Sequence, residues 1–325
     1  MKVIDKTISQ ITLPTPFAVG DVHVYILEGE LLSLIDAGVK TKEAWEAFQI
    51  QLKEIGYDPN DIEQIILTHH HPDHIGLIEQ FPRVQHIIAH HQVNRWITRD
   101  TAYFKHYRQF FKQYFTLSGV PEDLLAGLEL QESTLAFIGE GELTNTIDDG
   151  DILPGHQEWT VIETKGHAQS HLSFLRQQDQ ILLGGDHLLK HISSNPLMEP
   201  QEVGQSIDQR PKPMLQYRRN LEKCMELGIE NVLPGHGKVV RHPISLIQER
   251  LKKHEERAEK VYHLLDNGEK TPYQVCMELF PKQFQSQIDL TMSVTFGQLD
   301  YLEDQARIYK TVKDGHLVYA KTVNW

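Results

Sequence analysis

A stretch of ten residues, LTHHHPDHIG, follows an apolar run and contains four histidines and one aspartate. In a strand, side chains two residues apart point the same way, so His69 and His71 can approach one ion from a strand end. The proline after His71 disfavours helix at that residue and can open a new helix. That turn brings Asp73 and His74 to the same side. Imidazole nitrogen and carboxylate oxygen are ligands of zinc and similar ions, so the stretch predicts the start of two metal sites.

Three further candidate ligands each follow an apolar strand. They are His167 in ETKGHAQSH, Asp186 in ILLGGDH and His236 in VLPGHG. A glycine lies beside each of them, which lets the backbone turn sharply next to an ion. Seven donors placed at strand ends are hard to explain as polar loop residues without a metal. Ligands gathered in this way around one crevice are what a metallohydrolase needs.

Five motifs together resemble those of the metallo-β-lactamase-fold hydrolases in order, spacing and flanking residues. They comprise the loop Asp36-Ala37-Gly38 and the seven candidate ligands His69, His71, Asp73, His74, His167, Asp186 and His236. The resemblance covers about residues 10–240, and agreement of several motifs is far more specific than any one of them. It implies an α/β fold, the αββα metallo-β-lactamase sandwich.

The resemblance also implies how two metal ions are bound. The implied ligands are His69, His71 and His167 for the first ion, Asp73, His74 and His236 for the second, and Asp186 for both. Zinc is the expected metal, with iron or manganese as alternatives. Asp73 and Asp186 are the expected catalytic residues, with Asp73 orienting the nucleophile. Asp36 is expected to fix the imidazole of a ligand.

The implied activity is hydrolysis of a small ester, thioester or lactone by a hydroxide bound between two metals. Aspartate stands at 186 where one subclass of lactamases has cysteine, which favours the glyoxalase II-like or lactonase-like branch. Histidine stands at 71 where flavodiiron proteins have glutamate, which argues against a di-iron redox centre. Three alternatives stay open: a phosphodiesterase or ribonuclease of the same fold, a mononuclear iron persulfide dioxygenase, and a non-catalytic partner-binding protein. Arg210, Lys212, Arg218 and Arg219 are candidates to receive an anionic substrate.

Strands and helices alternate along the first part of the chain, as in α/β layer proteins. Apolar patterns predict strands within 22–35, 62–67, 159–164, 172–176, 180–184 and 231–233, and amphipathic helices at 41–55 and 213–227. A helical insertion is predicted at about 91–137. Its aromatic segment, 103–115, is expected to pack against the sandwich or a dimer partner, or to cover an apolar pocket.

The chain is predicted to divide into a hydrolase domain at 1–245 and a linker helix with a small winged-helix-like domain at 246–325. The C-terminal pattern predicts helices at 258–266, 272–280 and 286–304, then a hairpin that turns at Asp314-Gly315. This order resembles the winged-helix domain that some metallo-β-lactamase-fold proteins carry, nucleases among them. The third helix contains Asp289, Asp300, Glu303 and Asp304 but no lysine or arginine. A helix that reads nucleic acid needs cations, so nucleic acid is not an expected partner.

Bulk properties narrow the partners further. The chain has 325 residues and a formal net charge of −13, which disfavours contact with phosphate backbones. Two cysteines make no disulfide framework, and neither a signal segment nor a run of about eighteen apolar residues is present. We therefore expect a cytoplasmic protein that acts on a small molecule and does not associate with a membrane. Whether it forms a homodimer stays open.

Overall fold

The computed structural model describes residues 1–125 and 132–322. These residues divide into two compact units. The first unit contains 1–100, 132–194 and 220–244, and the remaining described residues form the second. The predicted domain boundary near residue 245 stays a prediction. None of the described helices is long and apolar enough to cross a membrane.

The first unit is built on two sheets. The seven-stranded sheet has the order β1-β2-β3-β4-β5-β6-β7. Its strands are β1 (Lys2–Val3), β2 (Ile8–Leu13), β3 (Val22–Glu28), β4 (Leu32–Ile35), β5 (Gln64–Ile66), β6 (His86–Ala89) and β7 (Asn145–Thr146). The strands from β1 to β4 pair antiparallel, and those from β4 to β7 pair parallel.

The six-stranded sheet has the order β13-β12-β11-β10-β9-β8. Its strands are β8 (Ile152–Leu153), β9 (His156–Glu163), β10 (Leu172–Arg176), β11 (Ile181–Gly185), β12 (Asn231–Pro234) and β13 (Val240–Arg241). Only β11 and β12 run parallel among the described pairs of this sheet. The carboxyl ends of these two strands therefore lie side by side, and the segments that follow them carry Asp186 and His236.

The two sheets pack face to face. Ile35, Ile66 and Ile88 of the first sheet share one core with Trp159 and Phe174 of the second. Strand β5 is buried along its whole length, as expected of a parallel strand covered on both faces. This explains why the run before the histidine cluster is continuously apolar rather than alternating.

Ten helices are described in the two units. They are α1 (Lys42–Glu54), α2 (Pro72–Ile75), α3 (Asn94–Ile97), α4 (Thr101–Leu117), α5 (Glu122–Leu125), α6 (Glu132–Leu135), α7 (Pro213–Glu226), α8 (Ile244–Leu264), α9 (Pro272–Leu279) and α10 (Ile288–Asp304). Helix α1 begins at an N-cap, Thr41, whose side chain accepts a hydrogen bond from the Ala44 N–H. The prediction of a separate helix at 258–266 was wrong, because α8 continues without a break to Leu264.

The second unit has a helical core and a hairpin, β14 (Ile308–Lys313) with β15 (His316–Lys321). The apolar face of α10 lies in this core: Ile288, Met292, Phe296, Leu299 and Leu302. Phe110, Phe111 and Phe115 of the aromatic helix α4 pack there too, together with side chains of α8 and α9. Helix α4 therefore shares a core with α8, α9 and α10. The sequence had led us to expect the sandwich, a dimer partner or an apolar pocket.

An ion pair is buried in the second unit. The Arg210 guanidinium donates to the Asp300 carboxylate at 2.7 and 2.9 Å, and Asp300 is 1% exposed. Arg218 donates to Glu255 at 3.0 Å. The suggestion that these two arginines receive an anionic substrate is therefore not supported, because both already hold a carboxylate of this chain. Breaking a buried pair leaves an uncompensated charge, which is strongly destabilising.

A polar link lies between the two sheets of the first unit. Ser33 Oγ of β4 is 2.6 Å from His156 Nε2 of β9, and the Gln64 side chain donates to Ser33 Oγ at 2.7 Å. His156 is 1% exposed, and burial lowers its pKa to about 4. The folded protein therefore holds this imidazole neutral at a pH where the unfolded chain protonates it.

Acid should destabilise the fold partly through His156. Its pKa is 6.5 in the unfolded chain and about 4 in the folded protein. The contribution of the neutral His156 ring to the free energy of unfolding is thus fully present above pH 6.5 and is lost as the pH falls toward 4. Between these limits the wild type should lose on the order of 2 kcal/mol more than His156→Gln. Urea unfolding of both proteins at several pH values measures this, and parallel curves would contradict it.

Candidate metal centre

The structure brings all seven predicted ligands together in the first unit. Their donor atoms form three overlapping groups, within each of which the atoms lie no more than 4.8 Å apart: His69, His71 and His167; His69, His74 and Asp186; and Asp73, His74 and His236. Four of the seven follow β5, where α2 starts at the proline after His71. The other three follow β9, β11 and β12.

The first group consists of three imidazoles. Nδ1 of His71 lies 3.0 Å from Nε2 of His69 and 2.9 Å from Nε2 of His167. Burial, with the neighbouring imidazoles, holds the pKa of His69 and of His71 well below the usual range. These rings are therefore neutral at physiological pH, which is the form that binds a metal. Three imidazole nitrogens within 4.8 Å of one another suit a divalent cation.

Two carboxylates, Asp73 and Asp186, lie beside the imidazoles of the other two groups. Asp73 Oδ2 lies 3.2 Å from His236 Nε2. Asp186 Oδ1 lies 3.5 Å from His74 Nε2, and its Oδ2 lies 3.5 Å from His236 Nε2 and 3.6 Å from His167 Nε2. The Asp186 carboxylate therefore stands within reach of His167 in the set His69, His71 and His167, and of His74 and His236 in the set Asp73, His74 and His236. We call these two sets the donor groups.

Unpaired atoms show that these residues fit metal ions. Nε2 of His74, Nε2 of His236 and Oδ1 of Asp186 are buried and have no hydrogen-bond partner among the described residues. Burial by itself lowers the pKa of His236, but the Asp186 carboxylate outweighs it and raises that pKa to about 10. Carboxylates in the same way hold the pKa of His74 well above its usual range despite burial. The site therefore demands positive charge, which two divalent cations would supply.

Asp36 fixes one ligand, as the sequence predicted. Its Oδ2 lies 2.7 Å from Nδ1 of His74, and its two oxygens also accept from the Thr68 N–H and hydroxyl at 2.7 and 2.8 Å. The Nδ1 of His74 therefore carries the proton, and Nε2 is left for an ion. Asp36 has φ = 60°, a left-handed backbone that is uncommon outside glycine. Its three contacts hold it in this conformation.

Asp36→Asn should weaken metal binding about 10–100-fold, because the amide removes the negative charge that makes His74 a strong ligand. Competition with a zinc chelator measures the change. Asp61→Asn is the matched control, since Asp61 only accepts a hydrogen bond from the Asp58 N–H in an exposed turn. Equal zinc affinity in the two variants would show that Asp36 does not tune the ligand.

Hydrogen bonds with residues far away in the sequence hold the loop that carries His236. Nδ1 of His236 donates to the Asp21 carbonyl at 2.8 Å, and His23 Nε2 lies 2.7 Å from the Gly237 carbonyl. A Cβ on Gly235 would lie 2.4 Å from Asp186 Oδ1. The sequence suggested that this glycine serves a sharp turn, whereas the structure shows that it makes room for the carboxylate.

Two further histidines lie around the site. His70, which faces away from the ligands, is buried with Nδ1 2.8 Å from Ser170 Oγ and its ring stacked on Trp96 at 4.3 Å. His171 contacts the backbone of Asp186. Because His171 flanks the His167 motif, the sequence marks it, with His187, as a candidate to touch substrate or a ligand, but it does not show which group the side chain meets.

A fourth group, His90, His91 and Asp148, also has donor atoms within 4.8 Å of one another. His90 Nδ1 accepts from the Gln92 N–H at 3.3 Å, so its Nε2 carries the proton. That nitrogen lies 3.6 Å from Asp148 Oδ1. His91 and Asp148 are exposed, and exposed acidic groups are common without an ion.

This chain is similar to known proteins in sequence and in fold. Residues 18–236 match the model of the metallo-β-lactamase superfamily. The chain is 40% identical over 313 residues to the probable metallo-hydrolase YqjP of Bacillus subtilis, an alignment that covers 96% of this chain and 97% of that one. It is 31% identical over 111 residues to the N-acyl homoserine lactonase AttM of Agrobacterium fabrum, covering 34% and 40% of the two chains. A metallo-β-lactamase family protein of Thermus thermophilus superposes with a TM-score of 0.80 and 25% identity, over 98% of this chain and all of that one.

Proposed function

Because this chain belongs to the metallo-β-lactamase superfamily, we propose that it is a hydrolase that uses two divalent metal ions to cleave a small ester, thioester or lactone. One observation carries the proposal: the Asp186 carboxylate lies at 3.5–3.6 Å from imidazole nitrogens of both donor groups. A carboxylate in that position can be shared by two ions. The relationship to a metallo-hydrolase over almost the whole chain supports hydrolysis as the chemistry.

In this proposal each ion takes three ligands of its own and one shared ligand. They are His69, His71 and His167 for the first ion, Asp73, His74 and His236 for the second, and Asp186 for both. Zinc is proposed because imidazole nitrogen and carboxylate oxygen make up the whole set.

The residues of this chain prepare the site for hydrolysis. When bound, two such ions supply an acidified water as nucleophile and polarise the attacked carbonyl. Asp73 is buried beside His236, where it would hold that water in place by accepting a hydrogen bond from it. Asp36 keeps the His74 ring in one tautomer. These side chains are held before substrate arrives, so little reorganisation is needed during the reaction.

The substrate class rests on two features. Position 186 is aspartate, as in the glyoxalase II-like and lactonase-like branches that the motifs resemble. A stretch of 111 residues is also similar to a lactonase, at 31% identity. We propose a carboxylic ester, thioester or lactone on these grounds.

A small molecule is proposed as substrate rather than nucleic acid. The C-terminal order of helices and hairpin resembles a winged helix, yet α10 is buried from Thr291 to Asp300 and carries no cation. Little of its surface is free to enter a groove, and its acidic groups repel phosphate.

A substrate panel with metal analysis tests the proposal. Protein purified without chelator should contain two metal equivalents per chain and should hydrolyse at least one member of a set of aryl esters, thioesters and lactones. Bis(p-nitrophenyl) phosphate and a persulfide serve as the competing substrates. Hydrolysis of the phosphodiester alone would favour the phosphodiesterase alternative. One iron per chain with oxygen consumption would favour the dioxygenase.

A further inference from the structure

His171 touches the backbone beside the shared carboxylate. Its Nε2 accepts a hydrogen bond from the Asp186 N–H at 3.0 Å, and the ring is fully buried. A peptide N–H is only a donor, so Nε2 of His171 cannot carry a proton. The proton of the neutral ring is therefore on Nδ1. The contact requires one tautomer, and a protonated imidazolium cannot make it.

A chain of hydroxyl groups selects that tautomer. Nδ1 of His171 lies 2.8 Å from Thr164 Oγ1, which lies 2.8 Å from Ser173 Oγ. Ser173 donates to the Gly184 carbonyl at 3.4 Å, which uses its single hydroxyl proton. Thr164 must therefore donate to Ser173, and its oxygen is left to accept from Nδ1 of His171. All three side chains are buried. Each hydrogen bond from His171 through Thr164 and Ser173 thus has one direction, and the last of them reaches Gly184 in β11, the strand before Asp186.

The backbone of Asp186 is held from both sides. His171 accepts from its N–H, and the buried Ser194 hydroxyl donates to its carbonyl. Gly185 has φ = 47°, and a Cβ there would lie 2.9 Å from His171 Nε2 and from Thr68 Oγ1. The peptide groups on either side of the Asp186 Cα therefore have little freedom, and this restricts where the carboxylate can point.

We propose that His171 is a positioning residue that directs the Asp186 carboxylate between the two donor groups, in the single Nδ1–H tautomer that Thr164 and Ser173 select. The inference rests on the proposed function in one respect, that Asp186 is the shared ligand. His171 makes no contact with substrate in this role. It acts through the Asp186 backbone alone.

His171→Phe and His171→Gln separate this role from simple packing. Phenylalanine keeps a ring but removes the acceptor, so zinc affinity in a chelator competition should fall about 10–100-fold. The Oε1 of glutamine can accept from the Asp186 N–H, so His171→Gln should recover most of the affinity. Cobalt-substituted protein adds a spectroscopic measure: the visible absorption of His171→Phe should differ from wild type, and that of His171→Gln should resemble it. Affinity in His171→Phe equal to wild type, or no recovery with glutamine, would overturn the proposal.

The tautomer is tested without any substrate. In the zinc-loaded full chain with nitrogen-15-labelled histidine, the signals lost in His171→Gln should show a protonated Nδ1 and an unprotonated Nε2. Thr164→Val removes the acceptor of that proton and should shift the ring toward the other tautomer and weaken zinc binding. A protonated Nε2 in the wild type would refute the inference even if His171→Phe failed to fold.

His156→Phe is the matched control. His156 is also buried and bonds to a serine. It begins β9, whose other end, Glu163, is the one nearer the site, and it lies about 23 Å along the strand from that end. His156→Phe should lower the free energy of unfolding and leave zinc affinity unchanged. If the wild type bound no pair of metals, the proposed function would fail. If it bound two and His171→Phe bound them equally well, only the present inference would fail.

Discussion

Asp186→Ala is expected to reduce turnover of the hydrolysed ester or lactone at least about 10³-fold, equivalent to about 4 kcal/mol of transition-state stabilisation. The Asp186 carboxylate stands within 3.6 Å of nitrogens from both donor groups. Without it the two proposed ions would lose their common ligand and the negative charge that offsets them. Asp186→Asn keeps an oxygen donor but not the charge, so its activity should fall between those of wild type and alanine.

The fold should survive this change, because alanine removes no apolar contact from the core between the sheets. Circular dichroism and thermal unfolding of the variant establish this. Asp179→Asn is a suitable control: Asp179 pairs with Arg176 in a surface turn of the same sheet. Near-wild-type turnover in Asp186→Ala would show that the shared ligand has been assigned to the wrong residue.

Removing the metals should abolish hydrolysis and also lower thermal stability. The imidazoles and carboxylates of the site are buried at short distances, and ions that bind only the folded chain stabilise it by mass action. At a free metal concentration about 1,000 times the dissociation constant, that term is about 4 kcal/mol. Dialysis against a chelator, elemental analysis and calorimetry measure the metal content and the loss of stability together.

Adding back two equivalents of zinc should restore both activity and melting temperature, with a break in the titration at two per chain. A break at one equivalent would contradict the assignment of two ions. Asp36→Asn offers a graded comparison: it should need more zinc to reach the same activity, because His74 becomes a weaker ligand.

The α/β metallo-β-lactamase fold predicted from the motifs is confirmed by the superfamily match and by the fold of the Thermus protein. The glyoxalase II-like branch and the winged-helix character of the C-terminal helices and hairpin stay predictions. The aromatic helix α4 shows what the periodicity of a sequence can predict. It identified one buried face correctly, but the partner of that face comes from α8, α9 and α10, more than a hundred residues away.

The sequence by itself determined which groups can hold metal and on which local element each stands. Backbone preferences predicted that His69 and His71 share one side and that the following proline turns the chain to Asp73 and His74, because both effects act between neighbouring residues. In the structure β5 ends at Ile66, so the two histidines lie in the loop after the strand, and α2 begins at Pro72. The motif resemblance predicted that Asp186 serves both ions and that Asp36 fixes a ligand imidazole. Tertiary structure alone decided that this imidazole is His74 and that the Asp186 N–H donates to His171. These contacts join residues that local rules leave independent. The pairing of β11 with β12 and the packing of two sheets bring them together, since only a closed core fixes distances between strand ends far apart in the chain.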